Sequence, residues 1–229
     1  MANRPVFLTC PDYGLVKEVA IEFSWNPGFS AIQKKRNVAA LHVEAEKKGL
    51  FPLLEISSKS EKEVGKRLSA FSLKVETDIG CISVESAFQG SKVFKNGGPY
   101  HDIYKMDSRS AKTDQRLKES GELICFDFFG DKWSLEPKTA FYDWLYMKAL
   151  EPHEEFLKKL EKYKGFTDIE FNPNKSINCQ ARSFALLMSL IKRGELKETM
   201  RNKSSFVEYI YKKSVGDKVY AEKNIDLLG

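Results

Sequence analysis

Two kinds of apolar pattern alternate along this chain. PVFLTC (5–10) and FPLLEIS (51–57) are short, nearly unbroken apolar runs bounded by proline or serine, and they predict buried strands. Between them Val38, Leu41 and Ala45 recur at i, i+3 and i+7, which predicts a helix capped by Ser30 and stopped at Gly49. Ser60 and Glu63 have capping-box spacing ahead of Val64, Leu68 and Phe71, so a second, short helix is expected there, ending in LSAF (68–71). FSLKVETDIGCISV alternates around TDIG and reads as a hairpin.

The next segment, VESAFQGSKVF (84–94), has helical spacing. At 100° per residue Glu85, Gln89 and Lys92 share one narrow stripe beside Val84, Ala87, Phe88 and Phe94. That stripe is either solvent-facing or the wall of a pocket. In NGGPY (96–100) the paired glycines let backbone come close to a ligand or to another strand. A polar helix is expected over 107–119, and ELICFDFFGD (122–131) predicts an interior strand.

Pro137 suits the first turn of a helix carrying Phe141, Trp144 and Leu145, which Pro152 interrupts. Phe156, Leu157, Leu160 and Tyr163 continue as a second amphipathic helix to Gly165, and FTDIEFNPNK (166–175) reads as a loop. Ile177, Ala181, Phe184, Met188 and Ile191 step by four and three, giving the clearest helix of the chain, closed by Lys192, Arg193 and Gly194. A last helix is expected over 206–213, followed by a loosely held end. These elements make an α+β fold, helix-rich with a few short strands: one domain over 56–198, an N-terminal extension (1–55) packed on it, and a C-terminal helix and tail (199–229).

The 229 residues suffice for a substantial core, and no apolar run approaches the roughly 18 residues of a membrane span. No secretory pattern opens the chain, and Cys10, Cys81, Cys125 and Cys179 lie far apart with no CxxC pair. A cytoplasmic protein with reduced thiols and no metal is expected. Lysine and arginine number 37 against 32 acidic residues, a net charge of +5 compatible with an anionic partner. Gly90-Ser91-Lys92 lacks the Walker glycine and is followed by valine, and His42, His101 and His153 are scattered. Acid–base chemistry therefore falls to carboxylates, lysines and tyrosines. Glu85, at the border of an apolar arc beside Phe88, is a candidate whose partial burial would raise its pKa; a surface glutamate is the competing reading.

Taken together, LSAF, VESAFQGSKVF, NGGPY, the strand before Trp133, and FTDIEFNPNKSINCQARSFALLMSLIKRG (166–194) resemble the NADAR superfamily over about residues 55–195. EPKTAFYDWLY and FNPNKSINCQARS are most similar to its DarT-associated antitoxins. The resemblance implies hydrolysis of an N-ribosyl bond: release of ADP-ribose from guanine bases in DNA that a DarT-type toxin has modified, without metal or cofactor. It places Glu85, Lys92, Asp168 and Trp133 in the catalytic set, and Phe71, Phe88, Gln89, Gly98, Tyr100 and Asn178 in substrate binding. Ser86, Ala87, Ile169 and Glu170 depart from the pattern of other NADAR branches and argue against the branch that cleaves riboflavin intermediates. That N-glycosidase activity, and an antitoxin that acts by holding its toxin, are the alternatives.

On this reading Glu85 and Asp168 divide protonation of the leaving group from activation of water. Lys92 either holds phosphate or ribose or attacks the ring-opened sugar as an amine. Trp133 and Phe71 offer flat faces worth about 1–3 kcal/mol per stacked base, while Trp144 reads as core. A guanine inside duplex would be out of reach, so single-stranded DNA is the expected substrate, attracted by Lys34, Lys35 and Arg36.

Overall fold

The first 23 residues form a hairpin of two long strands, β1 (Ala2–Cys10) and β2 (Leu15–Phe23). The structure, a computed structural model, describes residues 1–213 apart from 13 and 29; the expected loose end lies outside the described residues. β2 was not expected, because LVKEVAIEF carries three charges, Lys17, Glu18 and Glu22, and no unbroken apolar run. Its burial comes from Leu15, Ile21 and Phe23 alone.

Ser30 caps α1 (Ala31–Lys47) in a capping box completed by Gln33. β3 (Leu53–Glu55) follows, then α2 (Glu63–Arg67). The expected box at Ser60 and Glu63 does not form: Lys62 stands at the helix start without a side-chain cap, and Ser60 is buried against Gly65. The helix stops before Leu68, leaving 68–71 as a turn. β4 (Lys74–Thr77) and β5 (Gly80–Ser83) make the expected hairpin.

α3 (Val84–Gly90) is shorter than its periodicity suggests, and Lys92 belongs to the next strand, β6 (Lys92–Phe94). The expected polar helix breaks into α4 (Ser108–Thr113) and α5 (Arg116–Glu119), because the Asp114 side chain accepts the Arg116 N–H at 2.9 Å and starts a new turn. β7 (Leu123–Phe128) is the interior strand of a three-stranded sheet, between β6 and β8 (Asp131–Ser134). α6 (Ala140–Leu150), α7 (Glu154–Lys158), β9 (Gly165–Thr167), α8 (Gln180–Arg193), α9 (Leu196–Met200), α10 (Lys203–Val207) and a π-helical turn, Glu208–Lys213, complete this α+β fold. Among the described residues no helix is long and apolar enough to cross a membrane.

β9 corrects the expected loop at 166–175. Its three residues sit between β1, antiparallel, and β3, parallel, in a sheet of order β2-β1-β9-β3. Alternation along these strands feeds two cores. Val6, Ile21, Phe23 and Leu53 face α1, with Val38, Leu41 and Ala45; Phe7, Leu15, Leu54 and Phe166 face the main core, where α8 and α6 pack. Ile177 lies outside α8 and is 57% exposed, so the helical pattern begins at Ala181.

Buried polar groups tie these layers together. Asp143 on α6 accepts from Arg182, Ser183, Thr139 and Tyr211, so its charge is fully matched. Tyr146, also on α6 and with no exposed surface, donates to the Leu68 carbonyl at 2.7 Å and anchors the 68–71 turn. Tyr146→Phe leaves that carbonyl buried without a donor and is expected to cost about 1–3 kcal/mol, read from urea denaturation at neutral pH.

Candidate functional site

The turn after α2, helix α3, strand β6, the start of α6 and the segment joining β9 to α8 enclose one cavity of about 1210 Å³. Ligand pockets commonly run from about 300 to 1,000 Å³, so this one accommodates a nucleotide-sized molecule. Glu85, Gln89, Phe88, Lys92, Phe71, Asp168 and Asn178 all line it.

Ser83 caps α3 by accepting the Ser86 N–H at 3.0 Å, and the Glu85 N–H donates to the Ala70 carbonyl at 3.1 Å, which seats the helix against the 68–71 turn. Glu85 and Gln89 then stand one turn apart, with Gln89 Nε2 donating to Glu85 Oε1 at 2.8 Å. Both are buried, Glu85 to 6% exposure and Gln89 to 7%. Of the two readings of the stripe, the pocket wall is the one the fold realises. Lys112, from α4, reaches to 3.7 Å of Glu85 Oε1 and lies 5.2 Å from the Phe71 ring.

Lys92 arrives from β6, paired with Phe126 of β7, and its ammonium sits 5.1 Å from the Phe88 ring centre. Burial pulls its pKa below the ordinary lysine value, Glu85 opposes that fall, and Lys112 adds to it. Gly98 holds this strand in place. Its φ is +81°, and a Cβ there would come within 2.2 Å of the Lys92 carbonyl oxygen. The close approach that the paired glycines allow is therefore to a strand, and Gly98 does not line the cavity.

Asp168 follows β9 and is 8% exposed. Burial, and then the negative charge of Glu55, push its carboxyl up to about 8. The Glu170 N–H donates to it at 3.0 Å, and the Gln180 side chain hydrogen-bonds it while accepting the Ala70 N–H at 2.7 Å. Gln180 thus joins the 68–71 turn to Asp168. Tyr142 of α6 lines the same wall; burial raises its phenol well above the ordinary value, with the charges of Glu85 and Asp168 contributing. One phenol within the field of both acids places all three around the same space.

Gln89 Oε1 and Asn178 Oδ1 are buried acceptors with no donor among the described residues. Arg109, Lys112, Lys138 and Lys175 stand exposed at the edge of the cavity, with Phe71 (39% exposed) among them.

Two expected site residues lie elsewhere besides Gly98. Trp133 is 2% exposed, packed 5.0 Å from Trp144 and 5.6 Å from Phe141, with its indole N–H on Asp131 at 3.1 Å. It does not line the cavity, and its faces are taken by the core. Trp144, half-buried, shares that cluster. Tyr100 closes the end of α3: its N–H donates to the Gly90 carbonyl at 2.9 Å, and its ring carries the Arg116 guanidinium at 4.5 Å. Lys34 is engaged in an ion pair with Glu170 at 3.3 Å. Sequence reasoning passed over Glu55, Lys112, Tyr142 and Gln180. A lone acid within the apolar run FPLLEIS was the available signal for Glu55; the other three sit at positions that local pattern does not distinguish.

The family model of the DarT1-associated NADAR antitoxin matches residues 2–219. The chain belongs to the DarT1-associated NADAR antitoxins. NADAR proteins are glycosidase-like hydrolases, and the association implies a DarT-type toxin as the partner of this antitoxin. No curated protein matches the chain.

The raised pKa of Asp168 makes a stability prediction. The folded protein binds this proton more tightly than the unfolded chain, whose aspartate titrates near 3.8. The stability that Asp168 contributes therefore falls as pH rises from about 4 to about 8 and levels off above. Asp168→Asn lacks that slope, so its melting temperature should exceed the wild-type value by more at pH 8 than at pH 5, a difference scanning calorimetry reads directly.

Proposed function

We propose that this antitoxin hydrolyses the N-glycosidic bond between ADP-ribose and guanine in single-stranded DNA, undoing the modification made by its toxin. The observation that carries the reading is the meeting of Glu85 and Asp168, contributed by segments more than 80 residues apart, on the wall of one cavity.

The two acids are differently placed. Asp168, kept protonated at neutral pH by burial and by Glu55, is the general acid that protonates the guanine amine as the C–N bond breaks. Glu85, held by Gln89 and facing the cations of Lys92 and Lys112, is the carboxylate that stabilises the developing positive charge at the sugar carbon and takes a proton from the attacking water. Water's hydroxyl ends on the sugar, and the proton of Asp168 ends on the base. Lys92, half-buried and depressed in pKa, is placed to hold the ribose or to act as an amine on its ring-opened form. Arg109, Lys138 and Lys175 suit the pyrophosphate and the DNA backbone, and the exposed Phe71 ring suits stacking on a base. With Trp133 enclosed in the core, Phe71 is the aromatic platform of this proposal.

The test is release of free ADP-ribose from an ADP-ribosylated guanine oligonucleotide. Glu85→Gln and Asp168→Asn are each expected to slow turnover by about 10²–10⁴-fold, the range for a positioned acid or base. Equal release by wild type and both variants would remove the two acids from the chemistry. Because the acid must carry its proton, wild-type kcat should fall as pH rises through about 8. Protection from the toxin without any turnover would favour the toxin-holding alternative instead.

A further inference from the structure

Behind Asp168, on the far side of the β3/β9 pair, lies a second cavity of about 320 Å³ lined by His42, Glu55 and Lys62. Glu55 does not reach the first cavity. It is 3% exposed, and each of its oxygens is engaged. Oε1 accepts the Ser57 hydroxyl at 2.6 Å and the Ile169 N–H at 2.9 Å; Oε2 accepts the Thr167 hydroxyl at 2.6 Å. Thr167 and Ile169 are the residues immediately before and after Asp168. The Ile56 N–H adds a bond to the Thr167 carbonyl at 2.7 Å, so the strand end bearing Asp168 is gripped at backbone and side chain alike.

We propose that Glu55 is a positioning residue for Asp168: its carboxylate grips both neighbours of Asp168, and its charge, held behind that residue, favours the protonated form of Asp168. The assignment rests on the reading of Asp168 as general acid. Both carboxyls are buried and the charge of Glu55 is felt at Asp168, so ionising the second one is opposed. The count of donors decides which one ionises. Glu55 receives three, including one backbone N–H, while Asp168 receives the Glu170 N–H and the Gln180 amide. Burial raises the Glu55 carboxyl too, but its three hydrogen bonds oppose that rise, so the better-served acid carries the charge.

The groups around the pair leave that division undisturbed. His42, on α1, meets the Thr167 hydroxyl at 2.8 Å; burial and then Lys62 lower its pKa to about 4, so the ring is neutral. Since Thr167 spends its proton on Glu55, His42 Nε2 must carry the hydrogen of that contact. Tyr142 and Tyr146 of α6 and Cys179 ahead of α8 are pushed well above their ordinary values by burial and stay neutral. Glu170 is occupied by Lys34.

The test follows the Asp168 carboxyl by NMR titration of aspartate-labelled protein without substrate, with Asp168→Asn to identify the signal, and in parallel the pH profile of kcat. In Glu55→Gln the midpoint should fall by about one pH unit or more, the effect of removing an adjacent like charge, and the alkaline limb of kcat should move down with it. A folded Glu55→Gln protein with the wild-type midpoint would overturn the proposal, as would a uniform loss of rate with an unmoved limb. Should Glu55→Gln fail to fold, Thr167→Val keeps the charge but deletes one donor; a smaller fall in the same direction is expected, and no fall overturns the proposal. The midpoint is measured without turnover. A wild type that releases no ADP-ribose thus refutes the hydrolase reading and leaves the Glu55 measurement intact.

Discussion

A carboxylate sealed from water must find its hydrogen bonds inside the protein, and Glu55 finds all of them on the segment that bears Asp168 or next to itself. Breaking that contact would leave buried acceptors unmatched, so the parallel pairing of Leu53–Glu55 with Gly165–Thr167 is fixed in register as well as in place. Strands of three residues have little cohesion of their own. The clamp supplies what length does not, and it settles where the chain emerges into the cavity.

The opposite wall is held by different means. Tyr146 and Gln180 fix the 68–71 turn from α6 and α8, and that turn in turn receives the Glu85 N–H. Gly90 is packed against the Tyr104 ring, where a Cβ would come within 2.6 Å, and Gly98 against the Lys92 carbonyl, so α3 ends where it does and the chain turns into β6. Lys92 is thereby carried to the cavity by a strand, although helical spacing had already put it in the stripe of Glu85 and Gln89.

The two acids differ in what surrounds them. Glu85 has the Gln89 amide and the cations of Lys92 and Lys112 beside it; Asp168 has burial and a neighbouring carboxylate. Two residues of nearly the same chemistry thus meet different surroundings on the wall of one cavity.

What the sequence determined by itself was whatever short-range chemistry controls. The Ser30 cap, the 74–83 hairpin, the Glu85–Gln89 spacing and the amphipathic run of α8 depend on residues within a turn or two of each other, and family motifs named Asp168 as a partner. Tertiary structure decided β9, since a three-residue strand forms only when β1 and β3, distant in sequence, pair with it, while β2 becomes a strand by pairing along its whole length with β1. It also moved Trp133 into the core, ended α3 before Lys92, and turned the acid of FPLLEIS into the partner of Asp168. The reason is common to all of these: burial and charge proximity are set by what the folded chain brings together, and periodicity along the chain carries no record of them.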